Sequence, residues 1–133
     1  MVNLKILSQM KTMSIKGIGT DIIEISRIKE VLERKKDAFL KKVFTKNEIE
    51  YSKKFKDPTP HLAARFAAKE AVSKALGIGL GKISFLDIEV LNDEKGKPNL
   101  KLSKKLIEEF SSPKIEISLS HCNEYAVAFA IYF

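Results

Sequence analysis

The chain has 133 residues, of which 44% are hydrophobic and 31% are charged, and it carries a net charge of +7 at pH 7. This length and balance suit one globular domain and exclude a disordered or fibrous chain, and the longest apolar run, residues 125–133, is too short for a transmembrane helix. The positive charge predicts an anionic partner, which could be nucleic acid, a membrane, a phosphorylated small molecule or an acidic protein.

The first 13 residues have neither the apolar stretch nor the small-residue cleavage site of a secretory signal. Met13 could be the original start, and we expect residues 1–13 to be an N-terminal extension before a domain at 14–133. The only cysteine, Cys122, cannot form an intramolecular disulfide, which suits a reducing cytosol and predicts a cytoplasmic location.

Residues 14–25 predict a β-strand followed by a turn, because the isoleucines are β-branched, and Gly17 and Gly19 are interpreted as loosening the middle. Ser26 is the predicted N-cap of a short helix, and residues 35–44 predict a second helix.

Two helix starts follow. Thr45-Lys46-Asn47-Glu48 matches a capping box and predicts a helix that begins there. The Asp-Pro-Thr-Pro sequence at 57–60 predicts a boundary, with Thr59 as N-cap of the next helix. That helix, from about residue 61 to 76, is rich in alanine and ends at Gly77, a natural left-handed C-cap.

Short strands and turns dominate the second half of the chain. Residues 83–91 alternate as a strand, with Leu86, Ile88 and Val90 on one face. The later predicted elements are a polar turn at 92–98, a return strand at 99–102, a helical segment at 104–110 and strands at 115–119 and 125–133. Helices clustered between strands, with an antiparallel pair at the C-terminus, predict an α+β domain.

Two carboxylates are candidates for chemistry. Glu70 lies on the side of the alanine-rich helix opposite its alanines, where it could simply pair with Lys74 on a solvated face. Asp21 follows a glycine-containing strand and precedes two isoleucines, so we expect it to be partly enclosed. It could bind Mg²⁺ together with substrate phosphates, or serve as an N-cap or as a partner of Arg27. Spacing alone cannot bring Asp21 and Glu70 together.

His121 and Cys122 are adjacent, so on a strand they point to opposite faces and cannot form a nucleophile–base dyad. Two histidines and one cysteine make a zinc site improbable. His121 could bind a phosphate or be an ordinary turn histidine. Gly17-x-Gly19 lacks the third glycine of a dinucleotide-binding loop and the Lys-Ser/Thr of a P-loop.

Three segments resemble the motifs of the holo-[acyl-carrier-protein] synthase family of 4'-phosphopantetheinyl transferases. They are Gly17 to Glu24 followed by Arg27-Ile28, the stretch RFAAKEAVSKALG at 65–77, and SLSHCNEYA at 118–126. Their order is that of the family, the resemblance covers roughly residues 14–133, and the second motif is highly specific. The main departure is the N-terminal extension.

The resemblance implies a 4'-phosphopantetheinyl transferase fold, with an antiparallel sheet packed against a long alanine-rich helix and shorter helices. It also implies Mg²⁺-dependent transfer of 4'-phosphopantetheine from coenzyme A to a serine of apo acyl carrier protein, with release of 3',5'-ADP. In this reading Asp21 and Glu70 bind the Mg²⁺ and Lys74 neutralises charge on the leaving group, while the base is left open between Glu70 and a metal-bound water. The residues that resemble the family's binders of the nucleotide end are Arg65, Ser73 and His121.

The family resemblance also implies two kinds of assembly. An acidic carrier protein would dock on the first helix region, which includes Arg27, Lys29, Arg34 and Lys35, although each of these charges could simply aid solubility. Related enzymes that carry two such modules in one chain have their site between the modules. A single module therefore implies a homotrimer with sites between chains.

Two other functions compete with this interpretation. A small basic nucleic-acid-binding protein would explain the charge, but no helix-turn-helix or zinc-finger motif is evident and tryptophan is absent, so neither nucleic acid nor a membrane is expected as partner. A catalytically idle binder of coenzyme A is disfavoured by the presence of Asp21, Glu70 and Lys74.

Overall fold

The computed structural model describes residues 3–6 and 14–133. Most of the predicted N-terminal extension, residues 1, 2 and 7–13, lies outside the described residues. Within the described ranges, no helix is both long and apolar enough to cross a membrane. The elements are β1 (Gly17–Glu24), α1 (Ile25–Val43), α2 (Lys46–Ser52), α3 (Thr59–Leu76), a 3₁₀ turn (Phe85–Asp87), β2 (Ile88–Asn92), β3 (Pro98–Leu102), α4 (Lys104–Glu109), β4 (Ile115–His121) and β5 (Tyr125–Tyr132).

An antiparallel three-stranded sheet in the order β1-β5-β4 forms one layer, and α3 packs across it. The register places Ala128 of β5 between Asp21 of β1 and Leu119 of β4. Strands β2 and β3 form a separate antiparallel hairpin. The predicted α+β class, the return strand and the C-terminal antiparallel pair are therefore confirmed.

Alanines form the contact between α3 and the sheet. The predicted inward side of α3 is confirmed, since Ala64, Ala68, Ala71, Val72 and Ala75 are all buried. The alternate alanines of β5, at 126, 128 and 130, are buried against them. The helix ends as predicted at Gly77, which adopts φ +74° and whose N–H donates to the carbonyls of Lys74 and Ser73.

Gly17 and Gly19 have a role in packing that the sequence did not predict. An ideal Cβ on Gly17 would lie 1.9 Å from the carbonyl oxygen of Ala75, and one on Gly19 would lie 1.9 Å from that of Ala71. The two glycines therefore allow the backbones of β1 and α3 to touch. This contact sets where Asp21 stands relative to the helix.

The predicted N-caps of two helices were wrong. Helix α1 begins at Ile25, so Glu24 rather than Ser26 is its N-cap. The predicted break between two helical segments is confirmed, because Lys36 has a non-helical backbone (φ +41°, ψ −122°) that divides α1 into two parts. Pro58 is the N-cap of α3 and Thr59 is its first residue, because the Asp57 carboxylate accepts the Thr59 N–H and so already turns the chain.

The capping box at the start of α2 is confirmed. The Thr45 N–H donates to Glu48 Oε1 at 2.8 Å and the Glu48 N–H donates to Thr45 Oγ at 3.3 Å. The predicted strand at 83–91 was too long. A second capping box, between Ser84 and Asp87, turns residues 85–87 into a 3₁₀ turn, so the strand begins at Ile88 and Leu86 is exposed instead of packing beside Val90.

The face of the three-stranded sheet that points away from α3 is apolar and open. Ile18 is 62% exposed and Ile22 is 63% exposed on β1, beside the exposed Phe129 and Tyr125 of β5. The register places Ile22 opposite Val127 and Ile18 opposite Ile131, and the exposed Thr20 between the two isoleucines is opposite Phe129. We refer to Ile18, Ile22, Tyr125, Val127, Phe129 and Ile131 as the outer sheet face.

Candidate active site

The carboxylate of Asp21 and the ammonium group of Lys74 meet where β1 crosses α3. Lys74 Nζ donates to Asp21 Oδ1 at 3.2 Å and to the Thr20 carbonyl at 2.9 Å. The Asp21 side chain is only 17% exposed, as expected for an enclosed carboxylate, whereas Lys74 remains half exposed. Lys74 therefore bridges to the strand, instead of only lying along its own helix beside Glu70.

Glu70 lies near this ion pair, and the charges of Asp21 and Lys74 both shift its pKa. Burial raises the pKa of Glu70, the negative charge of Asp21 raises it further, and Lys74 partly offsets the rise. The packing of α3 on β1 thus brings together three residues that are distant in sequence, namely Asp21, Glu70 and Lys74. Two crowded carboxylates next to one cation form an arrangement that could accept a divalent metal ion.

Arg65 lies apart from these three residues, on the part of α3 that faces α2 and β2. The residue is 3% exposed, and its guanidinium stacks on the Tyr51 ring at 4.1 Å and donates hydrogen bonds to the Asn92 side chain and to the His61 carbonyl. Burial lowers the pKa of Arg65, and the interactions with Tyr51 and Glu48 partly offset this decrease. Its Nε has no hydrogen-bond partner, and the residue lines a cavity of about 350 Å³ together with Lys54.

His121, the last residue of β4, lies against the first turn of α3. Its ring is 5.6 Å from the ring of His61, which in turn stacks on Phe55 at 3.5 Å. His61 precedes Glu70 by nine residues, which is about 13 Å along a helix axis at 1.5 Å per residue. Within one chain, His121 therefore lies at the opposite end of the helix from the three charged residues.

The other two candidate residues have simple surroundings. The hydroxyl of Ser73 is buried and donates to the Glu70 carbonyl at 2.7 Å. Arg27 is exposed in the first turn of α1.

Sequence reasoning missed several residues that shape these sites. Tyr51 and Asn92 hold the Arg65 guanidinium, and His61 lies between Phe55 and His121. None of them occurs in a spacing that links it to its partner. The capping box did reveal Glu48, but not that this side chain is fully buried.

The chain as a whole matches a known family. The family model of the 4'-phosphopantetheinyl transferase superfamily matches residues 17–130, which is most of the chain and includes every candidate residue above. The chain therefore belongs to this superfamily of transferases.

Within it, the chain is similar to holo-[acyl-carrier-protein] synthases. It is 55% identical over 117 residues to the one from Protochlamydia amoebophila, covering 87% of this chain and 96% of the relative. It is 52% identical over 119 residues to the one from Ruminiclostridium cellulolyticum, covering 86% of this chain and 89% of the relative.

Solved structures agree in fold. The Bacillus anthracis holo-(acyl-carrier-protein) synthase, crystallised in complex with CoA (3',5'-ADP), has a TM-score of 0.75 and 45% identity over 89% of this chain and 96% of its own. The Helicobacter pylori enzyme in complex with coenzyme A has a TM-score of 0.80 and 37% identity over 87% of this chain and 99% of its own. The predicted family and fold are thereby confirmed.

Proposed function

We propose that this protein is a holo-[acyl-carrier-protein] synthase, which transfers 4'-phosphopantetheine from coenzyme A to a serine of apo acyl carrier protein and releases 3',5'-ADP. The observation that carries this proposal is the meeting of Asp21, Glu70 and Lys74 where β1 crosses α3, in a chain with close relatives of that name. We assign residues 14–133 to the transferase domain and residues 1–13 to an extension.

Asp21 and Glu70 are the residues we assign to Mg²⁺. This cation takes oxygen ligands and is commonly held by one or two carboxylates together with substrate phosphates. The raised pKa of Glu70 reflects burial and the nearby charge of Asp21, and a cation between the two carboxylates would relieve both costs. When bound, Mg²⁺ supplies charge neutralisation for the pyrophosphate of coenzyme A.

In the reaction, the carrier serine oxygen forms a bond to the β-phosphorus as the bond from that phosphorus to the 3',5'-ADP oxygen breaks. Lys74 is half exposed and anchored through Asp21, so its ammonium can turn toward the leaving group and stabilise the negative charge that grows there. The serine proton needs an acceptor. Glu70 is one candidate by its position beside Asp21, and a water molecule held at the metal is the other, since a cation bound to Glu70 would lower the pKa that burial and Asp21 raise.

Arg65, Ser73 and His121 are the residues we assign to the nucleotide end of coenzyme A. Arg65 and Lys54 line the same cavity, and their two positive charges against the single carboxylate of Glu50 support binding of an anionic group there. Since His121 lies beside His61, about 13 Å from Glu70 along α3, we infer that the His121 of a complete site comes from a second chain. We assign carrier docking to the exposed Arg27 and its neighbours on α1.

A homotrimer, with each site between neighbouring chains, completes the proposal. The outer sheet face exposes two isoleucines and a phenylalanine side by side, and contiguous apolar surface of this kind marks an association site. A second copy of the chain is the occupant that would also bring His121 to the carboxylates of its neighbour. We place the enzyme in the cytoplasm, a reducing compartment in which the exposed Cys122 thiol persists.

The test is incubation of the protein with coenzyme A, Mg²⁺ and an apo carrier protein, followed by intact-mass analysis of the carrier. We expect one phosphopantetheine per carrier, and a loss of rate of at least about 100-fold in Asp21→Asn and Glu70→Gln. Glu94→Gln, which removes an exposed carboxylate from the β2–β3 turn, is the matched control and should keep the wild-type rate. Full activity in excess chelator would refute the metal assignment, and an unmodified carrier would refute the function.

A further inference from the structure

Lys69, the residue before Glu70, is a lysine with no exposed side-chain surface. Its ammonium donates to the Val43 carbonyl at 2.6 Å, to Glu48 Oε1 at 2.7 Å and to the Phe85 carbonyl at 3.0 Å. An ammonium group has three protons, so every one of them has an acceptor. The three acceptors come from the end of α1, the first turn of α2 and the 3₁₀ turn.

The carboxylate of Glu48 is equally well satisfied. Glu48 Oε1 accepts from the Thr45 N–H and from Lys69, and Oε2 accepts from the Val90 N–H at 2.9 Å. Its side chain is also fully buried. One ion pair thus joins α3 to α1, α2, the 3₁₀ turn and β2.

The main effect of the Lys69–Glu48 ion pair is to fix the arrangement of the elements around it. Buried ion pairs add little net stability over well-packed apolar residues, because both charges must first lose their hydration. They do require one specific arrangement of their neighbours. Successive residues on a helix are 100° apart, so fixing the direction of Lys69 also fixes the direction of Glu70. On the other side of α3, the backbone contact with Gly17 and Gly19 fixes the distance between α3 and β1, the strand that carries Asp21.

We propose that Lys69 and Glu48 are positioning residues for the transferase site, which set the rotation of α3 so that Glu70 faces Asp21. This inference rests on the proposed function, in which those two carboxylates bind Mg²⁺. Neither Lys69 nor Glu48 would touch substrate, since both are buried between the helices and β2.

Lys69→Met tests the proposal, since methionine keeps much of the side-chain volume and removes the charge. Mn²⁺ serves as a spectroscopic stand-in for Mg²⁺, and its binding in the presence of coenzyme A is followed by EPR. We expect the Mn²⁺ dissociation constant and the Mg²⁺ concentration for half-maximal rate to rise by about tenfold or more, as for other groups that orient metal ligands. The Michaelis constant for the carrier should change less than about twofold, since carrier docking is assigned to the part of α1 near Arg27, whereas Lys69 contacts the far end of that helix at Val43.

Leu106→Ala is the matched control. Leu106 is fully buried on α4 in the core cluster beneath β2 and β4, so its truncation lowers the melting temperature without removing a contact of Lys69. The double variant Lys69→Met/Glu48→Gln removes both charges and covers the case in which Lys69→Met alone does not fold, because the glutamine amide oxygen can still accept one backbone N–H.

Weaker metal binding in the Lys69 variants, with wild-type metal binding in Leu106→Ala, is the expected result. Equal metal constants in the Lys69 variants and in Leu106→Ala, with active wild-type enzyme, would overturn the positioning role and leave the proposed function intact. A wild-type protein that neither binds Mn²⁺ nor modifies the carrier would overturn both.

Discussion

Gly19 and the carbonyl of Ala71 are in backbone contact, with room for no side chain between them. An ideal Cβ on Gly19 would lie 1.9 Å from the Ala71 oxygen and 2.8 Å from the Ala75 nitrogen. Both atoms belong to the helix backbone, which cannot rotate away as a side chain can. Asp21 can reach Lys74 because β1 lies so close to α3. We therefore expect this backbone contact to affect both the stability of the protein and its transferase activity.

Gly19→Ala should therefore destabilise the fold by about 1–3 kcal/mol or more, since a methyl group there forces the strand from the helix. Urea denaturation measures this loss, and the transfer rate should fall with it because Asp21 moves together with β1. Gly79→Ala is the control, since a Cβ at Gly79 meets nothing within 4 Å. Equal stability of the two variants would show that the strand can shift freely.

The helix on one side of this contact could be predicted from the sequence, but the contact itself could not. The alanine pattern and Gly77 suffice to predict α3 and its inward side, because helix periodicity and a left-handed C-cap are local signals. The meeting of Asp21 with Lys74 depends instead on two backbones touching, which no spacing encodes. The family resemblance implied that Asp21, Glu70 and Lys74 share one site, but the ion pair between Asp21 and Lys74 was not predicted.

Local chemistry also overrode the pattern at residues 83–91. Alternating apolar residues predicted a strand, but the reciprocal hydrogen bonds of Ser84 and Asp87 favour a 3₁₀ turn over its first half. The strand begins only at Ile88, and there Ile88, Glu89 and Val90 are all buried instead of alternating in exposure. The Lys69–Glu48 ion pair was hidden for a different reason, since 21 residues separate its partners and each alone looks like a surface residue.

Lys36 provides a second stability prediction. It adopts φ +41° and ψ −122° at the kink of α1, a conformation that glycine accepts and a side chain resists. Lys36→Gly should stabilise the protein by about 1 kcal/mol in urea denaturation, because relief of strain exceeds the added freedom of the unfolded chain. Lys29→Gly, in the regular part of the same helix, should cost about 1 kcal/mol instead. A loss of stability in both variants would argue against strain at Lys36.

The lowered pKa of His61 predicts that the stability of the protein depends on pH. Burial lowers the pKa of His61, and the positive charges of His121 and Arg65 lower it further, while Asp57 opposes them. Because the pKa of the folded state lies below the ordinary value of 6.5, the unfolded chain takes up this proton first as the pH falls. Stability is therefore lost as the pH drops from 6.5 toward the lowered pKa.

His61→Phe should flatten the dependence of melting temperature on pH between 7 and 5, because the ring can still stack on Phe55 but no longer titrates. His61→Gln is the companion variant, which also removes the titration but loses the stack. We expect it to show the same flat pH dependence at a lower melting temperature. A pH dependence unchanged in both variants would assign the acid sensitivity to other groups.

A charge reversal at Arg27 tests the assignment of carrier docking to α1. Arg27→Glu should raise the apparent Michaelis constant for the carrier by about tenfold and leave that for coenzyme A within about twofold, because reversing a charge weakens only the interface it faces. Lys95→Glu, in the exposed β2–β3 turn, makes the same change in net charge and is the control. Equal effects on both substrates would place Arg27 in the nucleotide site or in the fold.

The last prediction concerns sites shared between chains. Glu70→Ala and His121→Ala should each be nearly inactive alone. In a closed ring, each site takes Glu70 from one chain and His121 from its neighbour, so random mixing of the two variants should restore about a quarter of the sites. The reason is that each of the two neighbours must be the right variant, with a chance of one half for each.

A mixture of Asp21→Ala with Glu70→Ala provides the control. These two carboxylates meet within one chain, on β1 and α3, so no arrangement of the two variants rebuilds a site and no activity should return. Subunit exchange is verified by mass spectrometry of isotopically labelled chains. If exchange occurs and the Glu70 and His121 variants still fail to complement, both residues must serve from the same chain. A monomer by light scattering would remove the shared-site arrangement altogether, because the outer sheet face would then have no second copy to cover it.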